Sequence, residues 1–150
     1  MNRFFVFVFC VISSSVFGQG INNNWLIGYN PYGDVYTLYG KAIIDFSLGY
    51  PDISGNDNRK MRFMETEGNI SDTNGNLLMS SNGIWIANST GDTMQNGSGL
   101  NPGPIVNSWS NYGLPMPNSN LFLPFPGDST KYILFHMVAI PDVKIGRSHV

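Results

Sequence analysis

Glu65 and Glu67 stand two residues apart and are the carboxylates whose spacing could support acid–base chemistry. On a strand, such residues share one face, and glycoside hydrolysis uses two carboxyl groups about 5–10 Å apart. A structural role is the stronger alternative, because Glu67 precedes Gly68 and fits a position that binds the backbone of a tight turn. We therefore expect no catalytic role for this pair.

The two histidines offer little further support for catalysis. His136 lies in an apolar run and is expected to pack within a strand, and His149 is close to the C-terminal residue. The sequence has no nucleophile-elbow motif, the strained turn that carries the serine nucleophile of α/β-hydrolases, so a Ser-His-Asp arrangement has nothing to anchor it. The sequence therefore predicts a protein that is not an enzyme.

Asp72, Asn74 and Asn76 have the spacing that opens a calcium-binding loop. The glycine of such a loop would fall at Leu77, and its twelfth position, which needs a bidentate glutamate, is Gly83. The EF-hand is thus excluded. A weaker oxygen-ligand site and a plain turn remain as alternatives, and we predict no cofactor and no dedicated metal site.

Several aromatic side chains could together form a face on which sugars stack. Aromatic residues in strands more often belong to the core, and we expect Trp85 to pack there. Trp109 and Tyr112 fall in a Gly-, Pro- and Asn-rich segment, residues 89–120, that is predicted to be an exposed loop. The predicted binding residues are Trp109, Tyr112, Asp72, Asn74 and Asn76; Trp25 and the Tyr29/Tyr32 pair are further members of the aromatic set.

The elements that would position these residues are short strands joined by tight turns. Asn74-Gly75, which tolerates positive φ, and Asn82-Gly83 are dipeptides that predict hairpin turns. They separate three short runs, at 69–71, 77–80 and 84–88. Residues 68–88 are therefore predicted to form a three-stranded antiparallel meander.

The remaining strands follow from β-branched and aromatic runs. We expect strands at 42–46 and 61–66, at 121–125 with a bulge or edge position at Pro124, and a buried strand at 132–139. Residues 50–60 are expected to be a loop. Nothing after Asn22 predicts a helix, so the predicted fold class is all-β.

Residues 1–18 have the form of a secretory signal peptide. Arg3 precedes nine apolar residues, and the small residues Val16 and Gly18 fit a cleavage site before Gln19. The apolar run is shorter than the roughly 20 residues that a membrane-spanning helix needs. We predict a secreted or cell-surface protein with one domain, residues 19–150. Cleavage would remove Cys10, the single cysteine, so no disulfide is expected.

Composition narrows the range of partners. Charged residues make up 12% of the chain, the net charge is −2 and no basic patch is expected, so nucleic acids and anionic membranes are poor partners. Aromatic residues make up 13%, which argues against a disordered chain.

Two strands around an Asx/Gly turn occur twice, as SDTNGN before LLMSSN and as PGDSTK before YILFHM. These runs belong to a wider set: NWLIG, IDFSLGYP, EGNISDTNGNLLMSSNGIWIANST, MQNGSGL and NLFLPFPGDSTKYILFHM. The set resembles the N-terminal β-propeller-like region of large secreted proteins of gliding bacteria with type IX secretion, the gliding-motility-associated or PKD-domain-containing type. Ile86-Ala87-Asn88 and residues 101–120 depart from the family pattern.

The resemblance implies an incomplete propeller of one to two blades, belonging to a larger propeller-type protein. We expect a non-catalytic binding or scaffolding module on the cell surface or outside the cell, with an extracellular protein or glycan as partner. Blades left open at their edges would also self-associate. The alternative is a carbohydrate-binding module or a fragment of a carbohydrate-active enzyme.

Overall fold

The computed structural model describes residues 20–28, 40–55 and 59–138. The predicted signal peptide, Tyr29, Tyr32 and His149 lie outside these ranges. Within the described residues a 3₁₀ turn (Gly20–Asn22) is followed by nine strands and one short helix, and the all-β prediction is confirmed. The elements are β1 (Asn24–Ile27), β2 (Ala42–Asp45), β3 (Asp52–Gly55), β4 (Gly68–Ser71), β5 (Leu77–Ser81), β6 (Trp85–Asn88), β7 (Thr93–Ser98), α1 (Pro104–Trp109), β8 (Asn120–Phe125) and β9 (Asp128–His136).

The strands form three antiparallel units in sequence order. We call them the N-terminal sheet (β1-β2-β3), the central sheet (β4-β5-β6-β7) and the C-terminal hairpin (β8-β9). Within each unit, every strand pairs with the next one along the chain. The two sheets are therefore simple meanders, and the third unit is a single hairpin. No helix among the described residues is long and apolar enough to cross a membrane.

The predicted hairpin turns of the central sheet are confirmed. Gly75 (φ 89°) lies between β4 and β5, and Gly83 (φ 82°) lies between β5 and β6. Positive φ is a region that glycine enters without a Cβ clash, which is why these two turns need it. The meander continues into a fourth strand, β7, in a region that the sequence predicts to be a loop. That strand has the polar sequence TMQNGS, with no apolar alternation to reveal it.

Two further sequence predictions are wrong. Residues 52–55, expected in a loop, form β3 and pair with β2. Residues 104–109, in the long predicted loop, form α1, so Trp109 lies on a helix. Pro104 begins this helix, where a missing N–H costs nothing, and Val106 is its buried residue. A helix of six residues is marginal by itself, so most of its stability comes from packing on the core.

Residues 61–66 form no strand, although their predicted alternation is visible in burial. Met61 and Phe63 are buried, and Arg62 between them is half-buried. The hydrogen bonds of this segment do not follow a strand ladder. The Asn82 side chain donates to the backbone oxygen of Arg62 (3.1 Å), and the Thr66 N–H donates to the backbone oxygen of Leu114 (3.0 Å). The segment is thus held by single contacts to turns and not by a partner strand.

The core consists of two apolar clusters joined by Trp85. The first lies between the N-terminal and central sheets, and the second lies beneath α1. Trp85 is half-buried and packs against both clusters, which confirms its predicted place in the core. The buried members are Leu26, Met61, Phe63 and Ala87 in the first cluster and Ile84, Val106 and Leu114 in the second.

The first strand of each unit contacts the first strand of the next, β1 against β4 and β4 against β8. An asparagine near the start of each of these strands bonds to the neighbouring unit. Asn24 donates to Ser71 Oγ (3.0 Å), Asn69 donates to the Asn24 oxygen (2.6 Å) and Asn120 donates to the Ser81 oxygen (3.0 Å). Short polar side chains therefore hold the three units side by side.

The C-terminal hairpin leaves one apolar face open. Leu121 is 54% exposed and Phe135, directly opposite it, is 55% exposed, so the prediction that residues 132–139 form a buried strand is wrong. Leu123 and Phe125 continue the exposed face along β8. The register shifts between Pro124 and Phe125, which confirms the predicted irregularity at that proline.

Candidate functional site

A groove of about 480 Å³ lies between the segment that precedes β4 and the turn that follows α1. We call it the polar groove. It is lined by Lys60, Arg62, Asn82, Trp85, Ser110, Asn111 and Tyr112.

One buried residue, Asn82, holds both walls of the polar groove in place, one through its side chain and the other through its backbone. Asn82 Nδ2 donates to the backbone oxygen of Arg62 on one wall, and the backbone oxygen of Asn82 accepts from the Leu114 N–H (3.0 Å) on the other. Asn82 Oδ1 accepts from the Ile84 N–H (3.1 Å) within its own turn. All these bonds are internal, so Asn82 builds the groove.

The walls approach each other at Gly113. Its φ is 95°, and a Cβ placed there would lie 2.9 Å from the backbone oxygen of Arg62 and 3.1 Å from Asn82 Cβ. Glycine is therefore required for two reasons, the backbone conformation and the space. The chain reverses here after α1, since both Tyr112 and Gly113 donate their N–H groups to the Trp109 oxygen.

The lining of the polar groove carries two cations and no carboxylate. Lys60 forms an ion pair with Asp92 at the groove's margin. Hydrogen bonds from Lys60 and then from Thr90, together with the Lys60 charge, hold the pKa of Asp92 below its ordinary value. Arg62 is half-buried, and within the described ranges its guanidinium has no hydrogen bond or ion pair. Of the two lining cations, Arg62 is thus the one that these residues leave available.

Two aromatic side chains border the same space. Trp85 lines the groove and also packs against both core clusters, and Tyr112 stands on the turn after α1. The Trp109 ring meets the Tyr112 ring edge to face, with centroids 6.4 Å apart and planes at 74°. Tyr112 is therefore placed as a groove residue, whereas Trp109 packs against the cluster beneath α1 and does not line the groove.

The other predicted binding residues lie in the β4–β5 turn and contribute nothing to the polar groove. Asp72 Oδ1 accepts from the N–H groups of Asn74 (2.8 Å) and Asn76 (2.9 Å), and Oδ2 accepts from the Asn76 side chain (3.0 Å). These bonds, led by the Asn76 side chain, lower the pKa of Asp72. Among the residues the structure covers, no group of three or more His, Cys, Asp or Glu could hold a metal ion.

Glu65 and Glu67 occupy different surroundings, since the segment that carries them is not a strand. Glu67 lines a second groove, of about 310 Å³, beside Trp25 at the junction of β1 and β4, and Glu65 does not line it. Partial burial raises the pKa of Glu67, while the charge of Arg59 works in the opposite direction. His136 is half-buried on β9, in line with its predicted packing.

Sequence reasoning missed both cations of the polar groove. The sequence did contain a signal for them. Charged residues are only 12% of the chain, yet three basic residues, Arg59, Lys60 and Arg62, fall within four positions. Placing Arg62 beside Tyr112 needs the Asn82 contact, which connects residues 20 positions apart and leaves no mark on local pattern.

Comparison with protein-family models finds no match, and comparisons with curated proteins and with solved structures find none either. The resemblance to secreted proteins of gliding bacteria therefore stays a prediction.

Proposed function

We propose that this chain is a non-catalytic binding or scaffolding module of a secreted or cell-surface protein, built as consecutive blades of an incomplete β-propeller. Three antiparallel units in a row, with β4 in contact with both β1 and β8, support this arrangement. In a propeller each blade packs beside the next one around an axis that the first strands line.

The exposed apolar face of the C-terminal hairpin is the observation that carries the binding role. An isolated two-stranded hairpin is marginally stable in water, and an uncovered strand edge invites pairing with another chain. Here the paired residues Leu121 and Phe135 are each more than half exposed, and Leu123 extends the face. This face fits another sheet of the same kind, from a further blade or from a second copy.

Solution mass tests this role directly. Light scattering on the purified chain without residues 1–18 should show a mass above that of its monomer, and the mass should fall to the monomer value in the double variant Leu121→Lys, Phe135→Lys. Leu48→Lys is the matched control, because Leu48 is similarly exposed in a turn of the N-terminal sheet. A folded wild-type chain that stays monomeric over a wide concentration range would contradict the self-association.

Export can be tested separately. Residues 1–18, fused to a reporter enzyme, should direct it out of the bacterial cytoplasm, and Phe5→Asp together with Phe7→Asp should abolish that export by interrupting the apolar run. Retention of the unaltered fusion in the cytoplasm would contradict a secreted or cell-surface location.

A second candidate function, carbohydrate binding, is favoured by the polar groove. Sugar hydroxyl groups are bound by amide and hydroxyl side chains, and Asn111 and Ser110 place such groups on a groove lining that is mostly polar. A glycan array combined with a hydrolase screen tests it: binding without turnover is expected. Hydrolysis that disappears in Glu65→Ala, Glu67→Ala would instead indicate a carbohydrate-active enzyme fragment.

A further inference from the structure

We infer that copies of this chain join head to tail. In this arrangement the exposed face of the C-terminal hairpin, which carries Leu121 and Phe135, packs against the outer face of the N-terminal sheet of the next copy, which carries Trp25, Ile44 and Ile53. The inference rests on the self-association proposed above, and it adds which surface of the second copy is bound and how the copies are arranged.

The outer face of the N-terminal sheet is apolar throughout. Trp25, Ile44 and Ile53 are register partners on β1, β2 and β3, so their side chains share this face. Trp25 is 54% exposed, although the Phe46 ring meets it edge to face with centroids 5.0 Å apart, and Ile53 is 66% exposed. The six strand positions of the outer face hold apolar residues or glycine: Trp25, Ile27, Ala42, Ile44, Ile53 and Gly55.

The polar side chains of the N-terminal sheet lie on its other face. That face carries the buried Leu26, which packs into the first apolar cluster, and it also carries Asn24, Asp45, Asp52 and Ser54. An antiparallel sheet with one side in water places its polar residues on that side. This sheet has the reverse pattern, which is expected of an outer face that a partner covers.

The exposed face of the C-terminal hairpin also points away from the rest of the chain. Leu121 and Phe135 are register partners on this face, and each is more than half exposed. Asn120 and Phe122, the neighbours of Leu121 along β8, point to the other side. Phe122 is buried, and the Asn120 side chain donates to the Ser81 backbone oxygen of the central sheet (3.0 Å). The hairpin therefore packs on the central sheet through one face and leaves the other face free.

Two neighbouring residues of β5 show that the free faces are at opposite ends of the molecule. Ser80 lines a cavity together with Leu26 and Ile43 of the N-terminal sheet. Ser81 points to the other side of β5, and its Oγ accepts from the Asn120 side chain of the hairpin (3.1 Å). The N-terminal sheet and the hairpin thus cover opposite faces of the central sheet, and their own free faces end the stack.

A second copy is the occupant that continues this packing. Inside the chain, each junction joins one unit to the next in sequence, β1 to β4 and β4 to β8. A hairpin packed on the N-terminal sheet of the next copy repeats that order. Pairing of two hairpin faces would instead leave the apolar outer faces of both copies in water, whereas head-to-tail contact covers both kinds of face.

Two complementary variants test the arrangement. Trp25→Lys with Ile53→Lys places charge on the outer face, and Leu121→Lys with Phe135→Lys places charge on the hairpin face. Light scattering on the chain without residues 1–18 should find each double variant as a monomer, because each has lost one half of the junction. An equimolar mixture should give a species of twice the monomer mass and nothing larger, since only one intact junction can form.

Ser54→Lys is the matched control. Ser54 is exposed and follows Ile53 on β3, but its side chain points to the other face of the sheet. The same added charge should therefore leave the wild-type association unchanged.

Cross-linking gives an independent measurement with smaller replacements. Without residues 1–18 the chain has no cysteine, so Ile53→Cys and Leu121→Cys each place a single thiol on one of the two faces. A thiol-specific cross-linker added to a mixture of the two, with a mass tag on one, should yield mainly the mixed product. Products that join mainly like with like would contradict the head-to-tail order.

The outcomes separate this inference from the proposed self-association. If the Trp25→Lys, Ile53→Lys variant associates like the wild type, the head-to-tail arrangement is wrong while self-association stands. A mixture of the two double variants that stays monomeric also overturns the arrangement. If the wild-type chain is itself monomeric, this inference and the self-association fail together, whereas the carbohydrate candidate is unaffected.

Discussion

Asn24 and Asn69 each bind the other's strand across the junction of the N-terminal and central sheets. Asn69 Nδ2 donates to the Asn24 backbone oxygen (2.6 Å), and Asn69 Oδ1 accepts from the Leu26 N–H (3.3 Å). Asn24 in turn donates to Ser71 Oγ (3.0 Å) at the end of β4. Side-chain amides thus provide the bonds between two sheets that share no backbone ladder.

Replacing Asn69 should loosen this junction. In Asn69→Ala the Leu26 N–H loses its acceptor in a buried position, and we expect a loss of about 1–3 kcal/mol in the free energy of unfolding. Urea titration followed by tryptophan fluorescence measures it. Asn74→Ala is the control, because Asn74 is exposed and its side chain has no hydrogen bond among the described residues. Equal effects of the two variants would contradict the role of Asn69.

Gly113 separates two costs of adding a methyl group. Gly113→Ala should destabilise the fold through its positive φ, about 1–2 kcal/mol, and through a further clash with the Arg62 oxygen. Gly99→Ala is the matched control, since Gly99 has a φ of 75° and a Cβ placed on it would have nothing within 4 Å. The thermal unfolding midpoint should therefore fall further for Gly113→Ala than for Gly99→Ala. Equal decreases would show that the groove walls shift to accommodate the added methyl group.

Thr66 and Ser119 form a buried hydroxyl pair. The losses of stability caused by replacing each residue should therefore not be additive. Their oxygens lie 2.6 Å apart, and each can donate to the Met116 backbone oxygen, at 2.7 Å and 3.0 Å. Thr66→Val and Ser119→Ala should each cost about 1–2 kcal/mol in stability, because a buried partner is left with fewer bonds. The double variant should cost less than the sum by at least about 0.5 kcal/mol, a coupling that urea unfolding of all four proteins measures.

Lowering the pH should reduce the stability that the β4–β5 turn contributes to the fold. Because hydrogen bonds lower the pKa of Asp72 from its ordinary 3.8, the charged carboxylate stabilises the folded chain above that value. The contribution declines as the pH falls through the lower folded pKa. An NMR titration should place the Asp72 pKa below 3.8, and Asp72→Ala should flatten the acid limb of the stability curve.

The ionisation of Glu67 should change the stability of the fold in the opposite direction to that of Asp72. The pKa of Glu67 is raised above 4.5 by partial burial, so its charged form costs stability above the folded pKa. The cost is relieved as the pH falls from the folded pKa towards 4.5. Glu67→Gln should therefore stabilise the chain at neutral pH and lose that advantage near pH 4.5; a pKa of Glu67 at or below 4.5 would contradict this.

Turn chemistry made part of the fold predictable. Gly75 and Gly83 were located because their dipeptides favour positive φ, which is a local property of the sequence. The strand β7 was not predicted, because its side chains are polar and show no strand pattern. It pairs with β6 through backbone hydrogen bonds, which the side-chain pattern does not encode. The helix α1 was missed for a related reason, since packing on Ile84 and Leu114 stabilises it more than its own propensity does.

The candidate site was predictable only in part. Tyr112 was identified from its aromatic type, and the structure places it on the polar groove. Trp109, chosen by the same rule, packs against the core, because one helical turn directs it towards the cluster of Val106 and Ile84. Arg62 was missed because its position depends on Asn82, 20 residues away in sequence. Residue type can suggest a binding group, whereas its surroundings depend on distant contacts.

The asparagine bonds between units also bear on the order of folding. Hairpins such as β8-β9 close locally, in about 1–10 μs, without waiting for the rest of the polypeptide. The amide bonds join residues 39 to 51 positions apart, so each requires a longer search before it can form. We expect refolding to produce separate meanders first and to lock them together in a slower, later phase.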